Sequence, residues 1–548
     1  MLNNENYVKL LSNYWHTIRY LKFKQILGRI KRKLKFNSTT NSPANKLRKV
    51  SGLWEIPARR SQRMIKKNVF RFLNETHQIN AQKDWNNSSW SKLWLYNLHY
   101  FDDLTSINSK NRVSWQNSIL ERWIDENPIG KGNGWEPYTI SLRLVNWIKW
   151  SLSGNELNKT HIISLNTQAQ FLSKNLETHL LGNHLFANAK ALMFAGLFFY
   201  GGETSNWYKT GYKILLNELS EQILSDGGHF ELSTMYHSIF LEDLLDLYNL
   251  HKLFEIIPPK EIEVAISKMI NWLVKMCHPD GEISFFNDAA FDNTPSVKEL
   301  LKYAKRLGFT QKKLSNLNHL KESGYTRISL NNAVAIIDRA AVGPDYLPGH
   351  AHADTLSFEL SIFSHRVVVN SGTSIYGIGD ERIRQRGTFA HSTVVIDNEN
   401  SSEIWSGFRV ARRAKVYQVN TSIQDKKIYL SAFHDGYKRL PGKPIHFRQW
   451  IFSEGLVEII DRIYGKGHHN IEVVLPLHPD VTIIKSKNNN TILDVANNRL
   501  SIEFQGTGKL AIIESKYHPE FGLSIQSNKL VYQLIGQLPV EVITRIIW

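Results

Sequence analysis

Cysteine is nearly absent from this 548-residue sequence, which contains only Cys277. A lone cysteine cannot form an intrachain disulfide, and it excludes a zinc cluster built from thiolates. Long apolar runs are also missing. The longest candidate, ALMFAGLFFY at 191–200, is far shorter than the roughly 18 residues that a membrane span requires. The sequence therefore predicts neither a disulfide framework nor a transmembrane helix.

Acidic residues are too few to balance the bases: 50 Asp and Glu stand against 67 Lys and Arg, a net charge of +17. Such a surplus favours an anionic partner, which could be nucleic acid, anionic lipid or an acidic polysaccharide. The sequence contains no nucleic-acid-binding motif, so nucleic acid is not an expected partner. The length of the chain predicts more than one domain.

Part of the positive charge is concentrated at the N-terminus. Residues 1–35 hold nine Lys and Arg with Glu5 as the only acid, and their apolar residues recur at helical spacing. This stretch lacks the apolar core and cleavage site of a signal peptide, which predicts a cytoplasmic location or a peripheral one at the inner membrane. Two interpretations stay open: a helix packed on the main body with a solvated basic side, or a helix on an anionic membrane surface. Residues 36–50 are polar and predict a linker.

The order of patterns along the chain predicts an α+β multidomain protein. From about residue 90 to 320, apolar residues recur at i, i+3 and i+4 between Gly-, Pro- or Asn-rich breaks. This series predicts helical hairpins, arranged as a solenoid or a closed ring. After about residue 325, short β-branched segments such as NAVAIID, STVVID and LVEIIDRI predict stacked antiparallel sheets.

Two histidines and an aspartate stand directly before a strand pattern in PGHAHADTLSFEL, at 348–360. The alternation after them predicts a half-buried strand. If His350 and His352 lie on that strand, they share one face about 6–7 Å apart. They could then bind one ion or divide two roles. His391, further along the chain, could share a metal with His352 and an oxygen ligand, because imidazole suits zinc.

The segment NGWEPYTISLRLVNW, at 133–147, mixes aromatic and charged residues at a predicted helix start. Trp135, Glu136 and Arg143 could form a wall that stacks on sugar rings and binds a carboxylate. The alternative is a capped helix start with no further role.

Two later segments also carry polar residues into helices. GNHLFANAKAL places Asn183 and His184 at the start of an otherwise apolar helix, and DGGHFELSTMYH brings Tyr236 after a sharp turn. Each could be a satisfied polar network in the core, or each could face a substrate.

Several of these segments, taken together, are similar to those of one known family. GHAHADTLSFEL, VVVNSGTSIYG, QRGTFAHSTVVID and SSEIWSGFRVARR, with GNHLFANAKAL and DGGHFELSTMYH upstream, resemble the heparinase II/III family of polysaccharide lyases. The resemblance implies an N-terminal (α/α) toroid followed by a C-terminal antiparallel β-sandwich, with the active site between them. The expected division is a basic N-terminal helix and linker at 1–50, the toroid at 51–325 and the sandwich at 326–548.

The resemblance also implies a reaction, which is β-elimination on an acidic polysaccharide that contains uronic acid, tied to cell-surface polysaccharide metabolism. The expected partner is therefore an anionic polysaccharide, in agreement with the net charge. The alternative is a non-catalytic or differently acting polysaccharide-binding protein of capsule or O-antigen assembly.

Individual roles are implied by the same resemblance. Asn183 corresponds to the residue that binds the uronate carboxylate, and His350 corresponds to the catalytic histidine. Tyr236 corresponds to the tyrosine that gives a proton to the leaving oxygen and that, with some substrates, also acts as base. Arg143 and His184 are further candidates for substrate contact.

His352, Asn370 and His391 correspond to a metal site that shapes the cleft, with zinc as the expected ion. The family has an aspartate where this chain has Asn370, and a neutral amide is a poorer zinc ligand than a carboxylate. Asp354 is expected to hold a neighbouring histidine or backbone group and not to act itself.

Overall fold

The computed structural model describes residues 4–34 and 45–548, so most of the predicted linker lies outside the described residues. Helices dominate the first part of the chain and strands dominate the rest, as the sequence predicts. The described residues form twelve α-helices: α1 Asn4–Ile18, α2 Phe23–Leu34, α3 Lys92–Tyr100, α4 Val113–Glu126, α5 Pro137–Leu152, α6 Lys159–Lys174, α7 Gly182–Phe198, α8 Thr204–Gln222, α9 Thr234–Leu253, α10 Lys260–Lys275, α11 Val297–Arg306 and α12 Asp380–Arg386.

The strands are short before residue 317 and longer after it. In chain order they are β1 Lys46–Leu47, β2 Met64–Lys66, β3 Val69–Phe72, β4 Glu75–Gln78, β5 Phe199–Tyr200, β6 Leu317–Leu320, β7 Tyr325–Leu330, β8 Ala333–Asp338, β9 Phe358–Ile362, β10 His365–Val368, β11 Val394–Ile396, β12 Ile404–Trp405, β13 Arg409–Val410, β14 Val416–Gln424, β15 Lys427–His434, β16 Ile445–Ser453, β17 Leu456–Tyr464, β18 His468–Pro476, β19 Thr482–Lys487, β20 Asn490–Val495, β21 Asn498–Gln505, β22 Lys509–Tyr517, β23 Ile525–Gln537 and β24 Val540–Ile547.

The basic N-terminal segment forms two helices, α1 and α2, which we call the N-terminal hairpin. The hairpin packs on the rest of the chain, since Trp405 donates a hydrogen bond to Thr17 and α2 meets His179 at Gly28. These contacts agree with the interpretation of a helix packed on the main body. The outer side of α1 exposes Trp15, 70% accessible, and contact of this side with a membrane stays a prediction. Among the described helices, none is long and apolar enough to cross a bilayer.

The helical half comprises residues 45–316, and its core is built on α5, α7 and α9. Helix α7 is buried along nearly its whole length because it consists largely of apolar and small residues. Gly196 lets α7 and α8 approach closely, since a Cβ there would lie 2.7 Å from the backbone nitrogen of Tyr208. A rigid, buried α7 fixes the position of its first residues, which include Asn183.

The described residues from β6 onward, 317–548, form the β-rich half, which contains the two-stranded pair β12-β13 and three larger antiparallel sheets. Their strand orders are β10-β9-β8-β7-β6, β11-β18-β23-β22 and β14-β15-β16-β17-β24-β21-β20-β19. One hydrophobic cluster contains residues of all three sheets, including Phe358, Val473 and Trp450. The sheets therefore share a single core. The first of them begins with β6 at Leu317, upstream of the predicted domain boundary at 325/326.

Two predictions about the histidine-rich segment are wrong. Strand β9 is buried on both faces, because Glu359 turns inward to bind His278 and the backbone nitrogen of Asn370. His350 and His352 precede this strand in a loop. They therefore do not share a strand face, and the loop directs them to different surroundings.

Candidate active site

A cavity of about 880 Å³ lies where the helical half, the β-rich half and the N-terminal hairpin meet. Asn183 and Tyr236 line it from the helical half, and His350 lines it from the β-rich half. The three residues that the resemblance implies to be catalytic therefore border one space. His184 lines the same cavity.

His350 is held by a carboxylate from the opposite half of the molecule. Its Nδ1 lies 2.6 Å from Glu231 Oε2, and Glu231 is buried. Burial alone would raise the pKa of Glu231, but the neighbouring His350 lowers it below its usual range. An ionised Glu231 can accept a hydrogen bond from Nδ1, which leaves Nε2 as the ring nitrogen that can accept a proton. This arrangement suits a general base.

Tyr236 lies flat against this histidine. The two rings stack with centroids 3.9 Å apart, and the Tyr236 hydroxyl is 2.9 Å from the hydroxyl of Tyr376. Burial raises the pKa of Tyr236 well above its usual value, and the nearby Tyr376 and Glu231 raise it further. Tyr236 therefore keeps its proton at neutral pH and can act as a proton donor.

Asn183 reaches the cavity because of an unusual start to α7. Gly182 has a positive φ of +57°, and a Cβ there would lie 2.5 Å from Leu347 Cδ2. Glycine at this position lets the β-rich half approach α7. His184 follows with its Nδ1 3.3 Å from Glu177, and its ring lies 4.4 Å from that of Tyr138.

The charged residues that line the cavity balance one another in number. Its lining contains five Lys or Arg and five Asp or Glu. Lys190 Nζ lies 2.6 Å from Asp243 and 2.7 Å from Asp246, and Lys149 lies 2.8 Å from Asp246. The lining as a whole therefore has no net positive charge that would attract an anionic ligand.

Two predicted substrate contacts do not reach the cavity. Arg143 is 0% accessible, lies 3.7 Å above the ring of Trp123 and donates to Gln168. Trp135 is also buried and packs on Trp123 and Phe171. Both residues therefore belong to the core of the helical half and not to a binding wall, contrary to the prediction.

Glu136 takes an intermediate position. Its carboxylate accepts a 2.5 Å hydrogen bond from the Tyr96 hydroxyl and lies 3.3 Å from Lys92 Nζ. Tyr96 lines the cavity, so Glu136 contacts a lining residue and is not itself part of the lining.

Four buried side chains form a hydrogen-bonded series next to the His350 loop, from Asn370 through His391 and His352 to Asp288. His352 Nδ1 is 3.2 Å from His391 Nε2, and the outer nitrogens of the two rings meet Asp288 at 2.9 Å and Asn370 at 3.0 Å. Burial lowers the pKa of both histidines, so both rings are neutral. Asp288 also forms an ion pair with Arg382, with Oδ2 2.6 Å from Nη2.

These residues do not fit a zinc site. Only two imidazole nitrogens converge, and Asn370 and Asp288 bind the far sides of the two rings. In the described part of the chain, no three His, Cys, Asp or Glu side chains group as metal ligands would. A protein zinc site usually supplies three or four ligands around one point.

Asp354 has the supporting position expected of it. Its Oδ2 accepts a 3.3 Å hydrogen bond from the backbone nitrogen of Asn287, whose side chain in turn accepts a bond from the backbone nitrogen of His352. It therefore fixes the loop beside the histidines through backbone groups.

Four important residues were not assigned from the sequence: Glu231, Asp288, Tyr376 and Arg382. Glu231 and Tyr376 lie in segments that attracted attention for other residues, DGGHFELSTMYH and HRVVVNSGTSIYG. Asp288 and Arg382 have no local signal, because their pairing joins positions 94 residues apart.

Comparison with known proteins agrees with this arrangement. The sequence model of the heparinase II/III N-terminus matches residues 30–314, and that of the heparinase II/III-like C-terminal region matches residues 312–543. The chain belongs to the heparinase II/III family. This family member is 25% identical over 456 residues to a heparin-sulfate lyase of Pedobacter heparinus, covering 75% of the chain and 64% of the relative.

A heparin-sulfate lyase of Bacteroides stercoris is 27% identical over 326 residues, which cover 54% of this chain and 46% of the relative. The family member thus spans less than two thirds of the length of either lyase. Its fold is similar to the crystal structure of heparinase III, with a TM-score of 0.67 at 18% identity over 87% of this chain and 79% of the other.

Proposed function

We propose that this protein is a lyase that cleaves an acidic, uronate-containing polysaccharide by β-elimination. The observation that carries the proposal is the stacking of Tyr236, a protonated acid, on His350, a base oriented by Glu231, at the wall of one cavity. The similarity to heparin-sulfate lyases supports the same reaction class.

The reaction needs a base and an acid close together. His350 Nε2 takes the proton from C5 of the uronate, the electrons of that C–H bond form the C4=C5 double bond, and the C4–O bond breaks. Tyr236 gives its proton to the leaving oxygen. The stacking of the two rings supports this proposal, because an acid and a base that lie together could both reach the same sugar ring, as general acid–base catalysis requires.

The uronate carboxylate opposes the removal of a C5 proton, because its negative charge resists the build-up of more charge. Asn183 lines the cavity and carries an amide N–H that can donate to this carboxylate. A donor that is already in place stabilises the enolate-like intermediate more than the substrate. The charge-balanced lining leaves this task to polar donors near the sugar.

We also propose the finer architecture that the resemblance implies. The helical half would be an (α/α) toroid, supported by the central packing of α5, α7 and α9. The β-rich half would be an antiparallel sandwich, supported by three sheets that share one core. The cavity between them is a usual place for a ligand site.

The buried chain from Asn370 through His391 and His352 to Asp288 is proposed to hold the cavity wall without a metal. It touches the catalytic loop directly, because the backbone nitrogen of Asp288 donates a 2.9 Å hydrogen bond to the carbonyl of His350. An amide can meet a histidine nitrogen with either its oxygen or its NH₂ group. Because both rings are neutral and Asp288 accepts from His352, His391 Nδ1 is left as a hydrogen-bond acceptor. The NH₂ group of Asn370 can donate to this nitrogen, and an ionised aspartate could not.

The temperature of unfolding is expected to be insensitive to zinc and to EDTA. A ligand that binds the folded state raises this temperature by mass action, and the two converging imidazoles provide too few zinc ligands for tight binding. Differential scanning calorimetry of the whole protein measures the effect, with magnesium as the control ion. A zinc-dependent rise that saturates at one equivalent would show that a metal site exists.

The function itself is tested with a panel of polymers: heparan sulfate, hyaluronan, alginate and a capsular polysaccharide. We expect at least one uronate polymer to gain ultraviolet absorbance from the new C4=C5 double bond. Dextran, which has no carboxylate, is the matched control and should gain none. Binding of a uronate polymer without any absorbance would instead support the non-catalytic alternative.

A further inference from the structure

The N-terminal hairpin contacts the β-rich half beside the cavity. Trp405 Nε1 donates a 3.1 Å hydrogen bond to Thr17 Oγ1, and the rings of Tyr14 and Trp405 meet edge to face at 4.8 Å. The Arg409 guanidinium covers both rings, 5.4 Å and 4.7 Å from their centres. An aromatic and cationic junction thus attaches α1 to strands β12 and β13.

The hairpin also contacts the helical half. Lys22 forms an ion pair with Glu221 at the end of α8. At Gly28, a Cβ would lie 2.8 Å from the Cβ of His179, so α2 lies directly against the loop before α7. Between these contacts, Gln25 is buried and donates to the carbonyl of Tyr346 in the β-rich half. The hairpin therefore bridges the two halves.

The inner side of the bridge is part of the wall around the catalytic residues. Thr17, Ile18, Leu21, Gln25 and Arg29 line the same cavity as Tyr236 and His350. The hairpin thus covers this side of the cavity.

A second, smaller cavity continues from a different part of the wall. It has a volume of about 290 Å³ and shares Asn97, Asn293 and Phe521 with the first, and its lining contains no hairpin residue. Its lining includes Arg71, which is exposed and donates to Asn74. Arginine binds carboxylate and sulfate groups through its forked N–H donors.

We propose that the hairpin closes one end of the substrate cleft and that the polymer enters only through the second cavity, so that the protein removes short units from a chain end. This inference rests on the proposed lyase function. Internal units of the acidic chain would lie near Arg71, and the terminal units would fill the cavity against the hairpin. Exolytic action follows because the closed end admits a chain end and not an internal segment.

The test follows product size over time on the polymer of the panel that gives the largest absorbance, with size-exclusion chromatography. The expected result is that the smallest unsaturated product accumulates from the first time point while the remaining polymer keeps nearly its full length. An early collapse of polymer length, together with absorbance, would overturn the inference and leave the lyase function standing. Absence of absorbance from every polymer would overturn both.

Variants of the junction give an independent measurement. Tyr14→Ala combined with Trp405→Ala removes the edge-to-face contact, and the fraction of products longer than the smallest unit is expected to rise several-fold. Trp15→Ala is the matched control, because Trp15 is exposed on the same helix and does not line the cavity. An identical product profile in the double variant and the control would contradict the closing role of the hairpin.

The entry side is tested with Arg71→Gln. The KM for polymer is expected to rise about tenfold, because the loss of one hydrogen bond to a charged group weakens binding by about this factor. The KM for the shortest cleavable oligosaccharide, which would not reach Arg71, should stay unchanged. Arg499→Gln, at an exposed arginine in strand β21, is the control. Equal KM changes for long and short substrates would contradict entry through the second cavity.

Discussion

Tyr236→Phe is expected to lower kcat about 10²- to 10⁴-fold, which is the usual contribution of a positioned acid or base. Phenylalanine keeps the ring stacked on His350 and loses only the hydroxyl that carries the proton. The rate is measured by the absorbance of the unsaturated product. Circular dichroism and the temperature of unfolding should match those of the unchanged protein, because the side chain keeps its packing.

Two further variants separate the roles in this pair. His350→Ala removes the proposed base and is expected to cause a loss of similar size. Tyr376→Phe is the matched control, because it removes the hydroxyl next to Tyr236 and leaves the donor itself in place, so a much smaller loss is expected. Full activity in both Tyr236→Phe and His350→Ala would show that the assignment of the site is wrong.

Asp288→Asn is expected to destabilise the protein by about 3–5 kcal/mol, since it leaves the buried guanidinium of Arg382 without its partner charge. Both side chains are buried, so water cannot replace the lost carboxylate. The change also weakens the hydrogen bond that Asp288 accepts from His352. Urea unfolding monitored by tryptophan fluorescence measures the loss.

The comparison for this effect is an exposed ion pair. Arg462 and Glu541 form a similar contact with side chains 41% and 43% accessible, so Glu541→Gln should cost less than about 1 kcal/mol. The double variant Asp288→Asn with Arg382→Met should recover part of the stability, because no unpaired charge remains. If Asp288→Asn costs no more than Glu541→Gln, the buried pair does not support the fold as argued.

Much of the fold could be predicted from the sequence because it depends on local periodicity. Helices α7 to α10 follow apolar residues at helical spacing, and strands such as β8 and β17 follow short β-branched segments. The loop that carries His350 and His352 could not be predicted in this way. Its conformation is fixed by Asp354 and Asn287, which lie 67 residues apart in sequence.

The site shows a similar division. The grouping of Asn183, Tyr236 and His350 was expected from the family resemblance and not from spacing. Arg143 is an example of a residue whose place the local sequence does not determine. A charged residue near a helix start can line a binding site, or it can be buried and stack on a tryptophan, as Arg143 does. The pairing of Glu231 with His350 joins positions 119 residues apart, so only the tertiary structure reveals it.

The pairing of Glu231 with His350 also makes the site depend on the relative position of the two halves. The carboxylate belongs to one half and the imidazole to the other, so the proposed base is correctly oriented only while the two halves stay aligned. A displacement of about 1 Å can cost two orders of magnitude in rate. Catalytic competence would thus report the alignment of the two halves, and neither half expressed separately would carry an oriented base.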